Sequence, residues 1–427
     1  MSKENILSKI SKMSEEELKV LARITSDVEI LNILAVNANC EVRCTVAKNK
    51  NTPVELLAVL AQDEDSWVRW AVAANENTSI EVLAVLAKDD CEDVRNGVAW
   101  NENTPANVLA MLAKDKDGDV RIAVANNRNT SVDVLAMFAK DEDIVVRSSV
   151  ASNVNTSVDV LVMLASDKSW WVRIDVADNR NTPVNVLAML AKDEECGVCC
   201  AVANNRNTPV NVLAMLAKDE ENDVRIEVAL NENAPVDVLA MLAKDINLDV
   251  RASVARNNNT PVETLVMLAS DKDCWVRCKV ANNKNTPVKV LAILANDEHE
   301  DVREGVACNE KTPFELLTML AKDKDSHVRI AVAKSENTSA DALAMLASDE
   351  NWCVRRAVAS NSNTPLEMLS QLAVDEEWRV REAVAENPHT PYNTLVTLTK
   401  DTNAEVRIRA EETLKERKEK SKTSMER

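Results

Sequence analysis

The chain has 427 residues, a formal charge of −19 at pH 7, 46% hydrophobic residues and only 3% aromatic residues. The negative charge disfavours nucleic-acid backbones and anionic membranes as ligands, because affinity for both depends on Lys and Arg. The chain holds four glycines, too few for the glycine-rich loops that bind phosphate groups.

The beginning of the chain shows no apolar signal segment, and no stretch is long enough to span a bilayer. The ten cysteines do not follow the regular spacing of a disulfide framework, which favours a reducing compartment. We therefore expect a cytoplasmic protein that binds neither nucleic acid nor membrane.

The first predicted region, residues 1–25, is an N-terminal cap. Ser14 followed by Glu17 predicts a capping box at the start of a polar helix that ends near Ile24. We expect this helix to cover the open end of the hydrophobic core that follows.

From residue 26 to about residue 410 the chain repeats every 26 residues without an insertion or deletion. A Val-Arg pair marks each copy, from Val42-Arg43 to Val406-Arg407, and only Val198-Cys199 departs from it. A fixed period of this length indicates a solenoid, in which each unit buries its apolar side against its neighbours. We predict about fifteen two-helix repeats, followed by a charged cap and tail over residues 411–427.

Each copy predicts two short helices. The Val-Arg helix, near residues 66–74, contains the Val-Arg pair, and the apolar helix, near residues 54–61, follows an Asn-x-Asn-Thr-Pro link. We expect the Val-Arg helix to be the shorter one and the apolar helix to be buried on most sides. We also expect Thr52 to cap the apolar helix, with Glu55 completing a capping box.

Polar residues that recur in every copy are predicted to be structural, because an active site needs one constellation and not fifteen. We expect the recurring aspartates, such as Asp89 and Asp115, to pair with the recurring arginines, such as Arg95. We expect the recurring asparagines, such as Asn75, to satisfy backbone groups of the loops as a hydrogen-bonded ladder. Asn also suits turns and left-handed conformations.

The frame Val-Arg-x-x-Val-Ala-x-Asn, the Asn-Thr-Pro link and the Leu-Ala-x-Leu-Ala-x-Asp helix resemble the leucine-rich repeat variant family and, more distantly, HEAT-like repeats. The resemblance covers about residues 26–410. It implies an all-α, right-handed superhelical solenoid that serves as a binding scaffold. Some family members carry an iron–sulfur cluster in a separate Cys-rich N-terminal region. No Cys precedes Cys40 here, so we expect no cofactor.

The copies differ mainly around the Val-Arg pair. The changing positions are the two or three residues before it, the two after it, and the residue after the next Val-Ala pair. At 100° per residue, Trp67, Trp70, Ala71 and Ala74 lie on one side of their helix, opposite Val68. All eight tryptophans and all four glycines occupy such positions.

Neutral drift on an exposed surface would favour Lys, Glu, Gln and Ala, whereas Trp and Gly here reduce solubility or helix stability. Trp is also the residue most enriched at interface hot spots. We therefore predict a non-enzymatic, monomeric recognition protein that binds a protein or peptide through a diversified face. The predicted contact residues are Ser66, Trp67, Trp70, Trp100, Ile122, Trp170, Trp171, Ile174, Ile226, Trp275, Trp352, Arg356 and Trp378.

Two alternatives stay open. The chain could be a passive scaffold or a self-assembling structural repeat protein, or a HEAT-like enzyme that acts on DNA or a tetrapyrrole. An enzyme needs one pocket, and a DNA enzyme also needs a basic channel. Cys196, Cys199 and Cys200 lack the fourth ligand of a structural zinc site, so we expect no metal, and a redox role for them is left open.

Overall fold

The computed structural model describes residues 10–425. Within that range the regular structure is helical and contains no strand, which confirms the all-α prediction of two-helix repeats. Contacts divide the chain into two compact units, Met1–Val212 and Leu213–Arg427. The division falls inside the helix Val210–Leu216. The predicted boundaries at residues 25 and 410 stay predictions.

The first unit alternates apolar and Val-Arg helices after its N-terminal helix. Its helices are Glu15–Ile24, Val28–Leu34, Cys40–Lys48, Val54–Leu60, Ser66–Ala73, Ile80–Leu86, Glu92–Trp100, Ala106–Leu112, Gly118–Asn126, Val132–Phe138, Ile144–Ser152, Val158–Leu164, Trp170–Asp178, Val184–Leu190 and Cys196–Asn204. From Cys40–Lys48 to Trp170–Asp178, each Val-Arg helix packs directly against the Val-Arg helix of the next copy.

The second unit has the same alternation and ends in a long charged helix. Its helices are Asn222–Leu230, Val236–Leu242, Leu248–Arg256, Val262–Leu268, Cys274–Asn282, Val288–Leu294, Glu300–Cys308, Phe314–Leu320, Ser326–Lys334, Ala340–Leu346, Trp352–Ser360, Leu366–Leu372, Trp378–Glu386, Tyr392–Leu398 and Ala404–Met425. The last helix packs on the two before it, as expected of a cap.

The N-terminal helix begins with the predicted capping box. The backbone N–H of Glu17 donates to Ser14 Oγ at 3.4 Å, and the backbone N–H of Ser14 donates to Glu17 Oε2 at 2.8 Å. The helix packs on Cys40–Lys48 and buries Leu18 and Ala22. Residues 1–9 of the predicted cap lie outside the described residues.

The relative lengths of the two helices were predicted wrongly. The apolar helices have seven residues, such as Val54–Leu60, whereas most Val-Arg helices have nine, such as Glu92–Trp100. The apolar helix is also less buried than predicted, because Leu57 and Leu60 face the core while Val54 and Val59 are exposed. One side of each apolar helix therefore faces solvent.

The recurring Thr does not cap the apolar helix. Thr52 is buried and its Oγ1 donates to Val46 O at 2.6 Å, which ties the link to the preceding Val-Arg helix. The N-cap residue is Pro53, without a side-chain bond, or Ser in copies such as that of Ser79. A serine there accepts from the N3 backbone N–H, so the capping role lies one residue later than predicted.

The predicted pairing of recurring arginines with recurring aspartates is confirmed in both units. The Arg Nε to Asp Oδ2 distances are 2.6–2.9 Å, and the same Arg side chain donates to backbone carbonyls of the loop before its helix. Burial raises the pKa of Asp115, but hydrogen bonds from Arg95 and from the Asp117 N–H lower it further, so the net pKa lies below its ordinary value. We call these pairs the Arg–Asp ladder.

The asparagine ladder is also confirmed. Asn101 Nδ2 donates to Ala73 O at 2.7 Å and to Asn75 O at 3.0 Å, both in the preceding copy, while its Oδ1 accepts from the Asn103 N–H. These asparagines are not left-handed, since no described residue other than Gly has positive φ. Asn is therefore present for its side-chain bonds between copies and not for its backbone freedom.

Candidate functional site

The predicted contact residues lie at or near the surface of the Val-Arg helices, and none is in the core. The exposed ones are Trp67, Trp100, Trp171, Trp275 and Arg356. The half-buried ones are Ser66, Trp70, Ile122, Trp170, Ile174, Ile226, Trp352 and Trp378. We call the first eight in chain order, from Ser66 to Ile174, the variable face of the first unit, and the other five the variable face of the second unit.

Trp67 and Trp70 form an aromatic pair in the first unit. Their ring centroids are 6.1 Å apart with an edge-to-face geometry, the arrangement that the aromatic quadrupole favours. Lys48 Nζ, from the preceding Val-Arg helix, lies 5.0 Å from the Trp70 ring centroid. Trp67 remains 61% exposed, so its indole is available to a ligand.

A second aromatic pair lies farther along the same unit. Trp170 and Trp171 stack with their ring centroids 4.0 Å apart, and Trp171 is exposed. On the same helix Asp175 accepts a hydrogen bond from Ser148 Oγ of the preceding copy. Burial raises the pKa of Asp175, because the charged carboxylate loses hydration.

In the second unit the tryptophans carry cations of the same chain. Lys279 Nζ lies 3.6 Å from the Trp275 ring centroid. Arg379 Cζ lies 5.3 Å from the ring centroid of Trp352 and 4.7 Å from that of Trp378, so one guanidinium contacts indoles of two neighbouring copies. The indoles of this face thus already bind side-chain cations.

These cations were missed in the sequence. Lys279 follows Trp275 by four residues, a spacing that places side chains on the same side of a helix, so this pair could have been found. Arg379 contacts Trp352 of the adjacent copy, and Lys48 contacts Trp70 of the adjacent copy. Those two contacts are visible only when neighbouring copies are aligned at the 26-residue period.

One of the variable positions, the second after the Val-Arg pair, is not a surface position. Ala71 is 1% exposed and Ala123 is fully buried, because this side of the helix faces the Val-Arg helix of a neighbouring copy. Small residues there allow the helices to approach closely. The prediction that this position belongs to the diversified surface was therefore wrong for these copies.

Glycine at that position has a packing cause. A Cβ added to Gly97 would lie 3.0 Å from Trp70 Cδ1 and 3.1 Å from Ala73 Cβ, and one added to Gly305 would lie 2.8 Å from Asn282 Nδ2. Gly97 thus accommodates the large Trp70 ring of the preceding copy. The prediction that these glycines belong to the diversified exposed face was wrong for Gly97 and Gly305.

The cysteines show no reactive cluster. Cys199 takes the place of the ladder arginine, and its Sγ lies 3.5 Å from Asp193 O, the carbonyl that an arginine would bind. Burial raises the pKa of Cys44, Cys278 and Cys308, which disfavours the thiolate form. Among the residues described, no three His, Cys, Asp or Glu side chains are grouped to hold a metal ion.

Two grooves lie at the loops that follow Val-Arg helices. One in the first unit, of about 590 Å³, is lined by Asp178, Arg180, Asn204, Asn205, Arg206 and Asn207. One in the second unit, of about 540 Å³, lies at the equivalent loops and is lined by Leu230, Glu232, Arg256, Asn257, Asn258, Asn259 and Lys284. Neither groove includes a tryptophan.

Three stretches match the sequence profile of the family described as "Leucine rich repeat variant": residues 41–65, 248–273 and 352–377. Each stretch spans one Val-Arg helix, the following apolar helix and the acidic loop. These three copies are similar to leucine-rich repeat variant repeats. No helix between residues 10 and 425 combines the length and apolar character needed to cross a membrane.

Two solved structures are similar to the repeat array. One, "a leucine-rich repeat variant with a novel repetitive protein structural motif", is 29% identical, with 52% of this chain and 87% of that chain covered and a TM-score of 0.41. The other, "Kap95p Binding Induces the Switch Loops of RanGDP to adopt the GTP-bound Conformation", is 12% identical, with 95% of this chain but only 62% of that chain covered and a TM-score of 0.36. No curated protein matches the chain.

Proposed function

We propose that this protein is a non-enzymatic recognition protein that binds a protein or peptide through the variable faces of its leucine-rich repeat variant repeats. The observation that carries the proposal is the accessibility of Trp67, Trp100, Trp171 and Trp275 on Val-Arg helices whose other side is nearly constant. Trp is among the residue types most enriched at the hot spots of protein interfaces.

The constant residues give these side chains a rigid support. The Arg–Asp ladder joins the Val-Arg helix of a copy to its own acidic loop and to the loop before it. The asparagine ladder joins a copy to the preceding one, so little backbone ordering is needed when a target binds. Less ordering on binding increases affinity. A standard interface takes about 800 Å² from each partner, so a target covers several neighbouring repeats.

The ligand class follows from composition and charge. A net charge of −19 opposes binding of nucleic acid, while Trp and Ile side chains favour the apolar anchors of a protein or peptide. We place the protein in the cytoplasm as a monomer, where thiols such as Cys44 and Cys278 stay reduced.

The test is capture from a lysate of the native organism on the immobilised protein, with wild type compared to a Trp67→Ala, Trp70→Ala, Trp171→Ala variant. The matched control changes Met137 and Met163 to Ala, since both are exposed apolar side chains on the apolar helices. We expect a captured protein to be lost with the Trp variant and retained with the Met variant. Equal capture by all three proteins would refute the proposal.

Self-association through the same residues is the competing outcome. Multi-angle light scattering then gives a mass that rises with concentration and returns to 47.1 kDa in the Trp variant. A constant monomer mass, together with Trp-dependent capture of another protein, supports recognition of a target.

A further inference from the structure

An acidic–Trp–acidic order recurs along the row of residues just before the Val of each Val-Arg pair. In the first unit this row contains Glu41, Trp67 and Asp93 in consecutive copies, and in the second unit Asp249, Trp275 and Asp301. All six residues are exposed. Both units therefore present an indole between two copies that carry a carboxylate at the same position.

The triplet of the second unit is occupied by a cation of the chain itself. Lys279 Nζ lies 3.6 Å from the Trp275 ring centroid, a contact distance at which a cation is attracted to the indole face. Lys279 lies one helical turn after Trp275, and its ammonium group covers the face of the Trp275 indole. The triplet is thus compatible with a bound ammonium group.

The triplet of the first unit has no such internal cation. The residue one turn after Trp67 is Ala71, which cannot reach the ring, and Lys48 lies over Trp70 instead. The ring contact of Trp67 is the edge-to-face packing with Trp70, and no cation of the described residues lies over the Trp67 ring. Trp67 is also the more exposed of the two, at 61% against 48% for Trp275.

The surroundings of Trp67 favour a positive charge. Asp93 is exposed, and Glu41 is shared with Lys19, whose Nζ lies 2.7 Å from Glu41 Oε2. Equivalent positions on packed helices are separated by about 8–10 Å, comparable with the Debye length of about 8 Å at physiological salt. A cation over Trp67 therefore experiences mainly the Asp93 carboxylate, because the charge of Glu41 is shared with Lys19.

We propose that the Glu41–Trp67–Asp93 triplet binds a Lys or Arg side chain of the target, and hence that the target presents a basic segment to the first unit. This inference rests on the proposed function and specifies its partner. Lys279 over Trp275 is the internal equivalent of the contact that the target makes at Trp67. In the second triplet Lys279 already covers the Trp275 indole, so this triplet binds no cation of the target.

The experiment follows the indole Nε1–H resonances of Trp67 and Trp275 by NMR, assigned with Trp67→Phe and Trp275→Phe variants. The probes are N-acetyl-lysine methylamide and N-acetyl-arginine methylamide, with N-acetyl-norleucine methylamide as the uncharged control. In the wild type we expect the cationic probes to shift the Trp67 resonance saturably and to leave Trp275 unchanged. Asp93→Asn should weaken the probe at Trp67 by roughly 2–5-fold, in keeping with the loss of one surface charge interaction.

Two matched variants exchange the behaviour of the two sites. Lys279→Ala should open the second triplet, so that Trp275 begins to respond. Ala71→Lys should close the first, so that Trp67 ceases to respond. If Ala71→Lys does not fold, Lys279→Ala decides alone. Equal shifts with the uncharged probe, or no gain at Trp275 in Lys279→Ala, would overturn the inference.

The two proposals fail in different ways. Loss of target capture in a Trp67→Ala variant, with no response of Trp67 to the cationic probes, keeps the recognition function and removes the basic segment. A Trp67 response without any captured protein keeps the cation site and removes the recognition function.

Discussion

The Arg–Asp ladder predicts a large and local loss of stability when one carboxylate loses its charge. Arg95 and Asp115 are 10% and 8% exposed, with Nε–Oδ2 and Nη2–Oδ1 distances of 2.6 and 3.0 Å. Asp115→Asn keeps an acceptor for the Asp117 N–H but turns an amide toward the guanidinium donors. Breaking a buried ion pair at one partner costs about 3–5 kcal/mol.

We expect the lower end of that range, about 3 kcal/mol, because Arg95 retains its bonds to Asp89 O and Asp90 O at 2.8 and 3.1 Å. In a repeat array, stability is a sum of local terms and neighbour terms, so the loss is confined to nearby helices. At 1.36 kcal/mol per tenfold, amide exchange in Glu92–Trp100 and Gly118–Asn126 should become about 150-fold faster.

The assay is hydrogen exchange followed by mass spectrometry at pH 7. Asp119→Asn is the matched control, because Asp119 is an exposed acid in the first turn of the same region and contributes only about 0.3–1 kcal/mol through the helix dipole. Arg95→Met in the Asp115→Asn background completes a double-mutant cycle and should recover part of the loss. Equal acceleration in Asp115→Asn and Asp119→Asn would refute the assignment of a strong ladder pair.

Acid should also destabilise the protein: ladder carboxylates such as Asp115 have a lowered folded pKa, so their contribution is complete above about pH 4 and is lost as the pH falls through the folded value. A melting temperature by circular dichroism that is the same at pH 7 and pH 3 would contradict this. Asn101→Ala leaves buried backbone groups unpaired and should cost about 2–3 kcal/mol, whereas Asn103→Ala, at an exposed position, should cost less; hydrogen exchange distinguishes them. Gly97→Val should destabilise by about 1–3 kcal/mol through overpacking, and Trp70→Ala should relieve most of that loss in thermal melts, so an equal loss in both backgrounds would argue against the contact.

Much of the fold could be predicted because the same helix pair and loop recur many times, so that constant positions stand out from variable ones. The period defined the two helices, and the recurrence of Arg95, Asp115 and Asn101 equivalents indicated structural roles that the hydrogen bonds confirm. The error on Thr52 arose because a Thr before Pro has two physically reasonable partners, a backbone N–H ahead of it or a carbonyl behind it. The distance between the link and Val46 decides between them, and the sequence alone does not give that distance.

The positions of the predicted contact residues were recovered as surface sites, but their immediate neighbours were not. Helical angles placed Trp67 and Ala71 on the same side, although Trp67 is exposed and Ala71 is buried. A helical wheel describes one helix and omits the helix beside it. The pairing of Trp70 with Gly97 shows that side-chain size is matched between copies, so each variable position depends on the residues next to it in the stack.

The asparagine ladder points in one direction along the chain. Each amide, such as that of Asn101, donates to carbonyls 26 and 28 residues earlier, and each ladder arginine finds its aspartate only 20 residues later. During translation, the carbonyl acceptors of each ladder asparagine are synthesised before the asparagine itself. The hydrogen bonds of a repeat therefore require no distant part of the polypeptide. Folding can therefore keep pace with synthesis, with each repeat completed on the one before it.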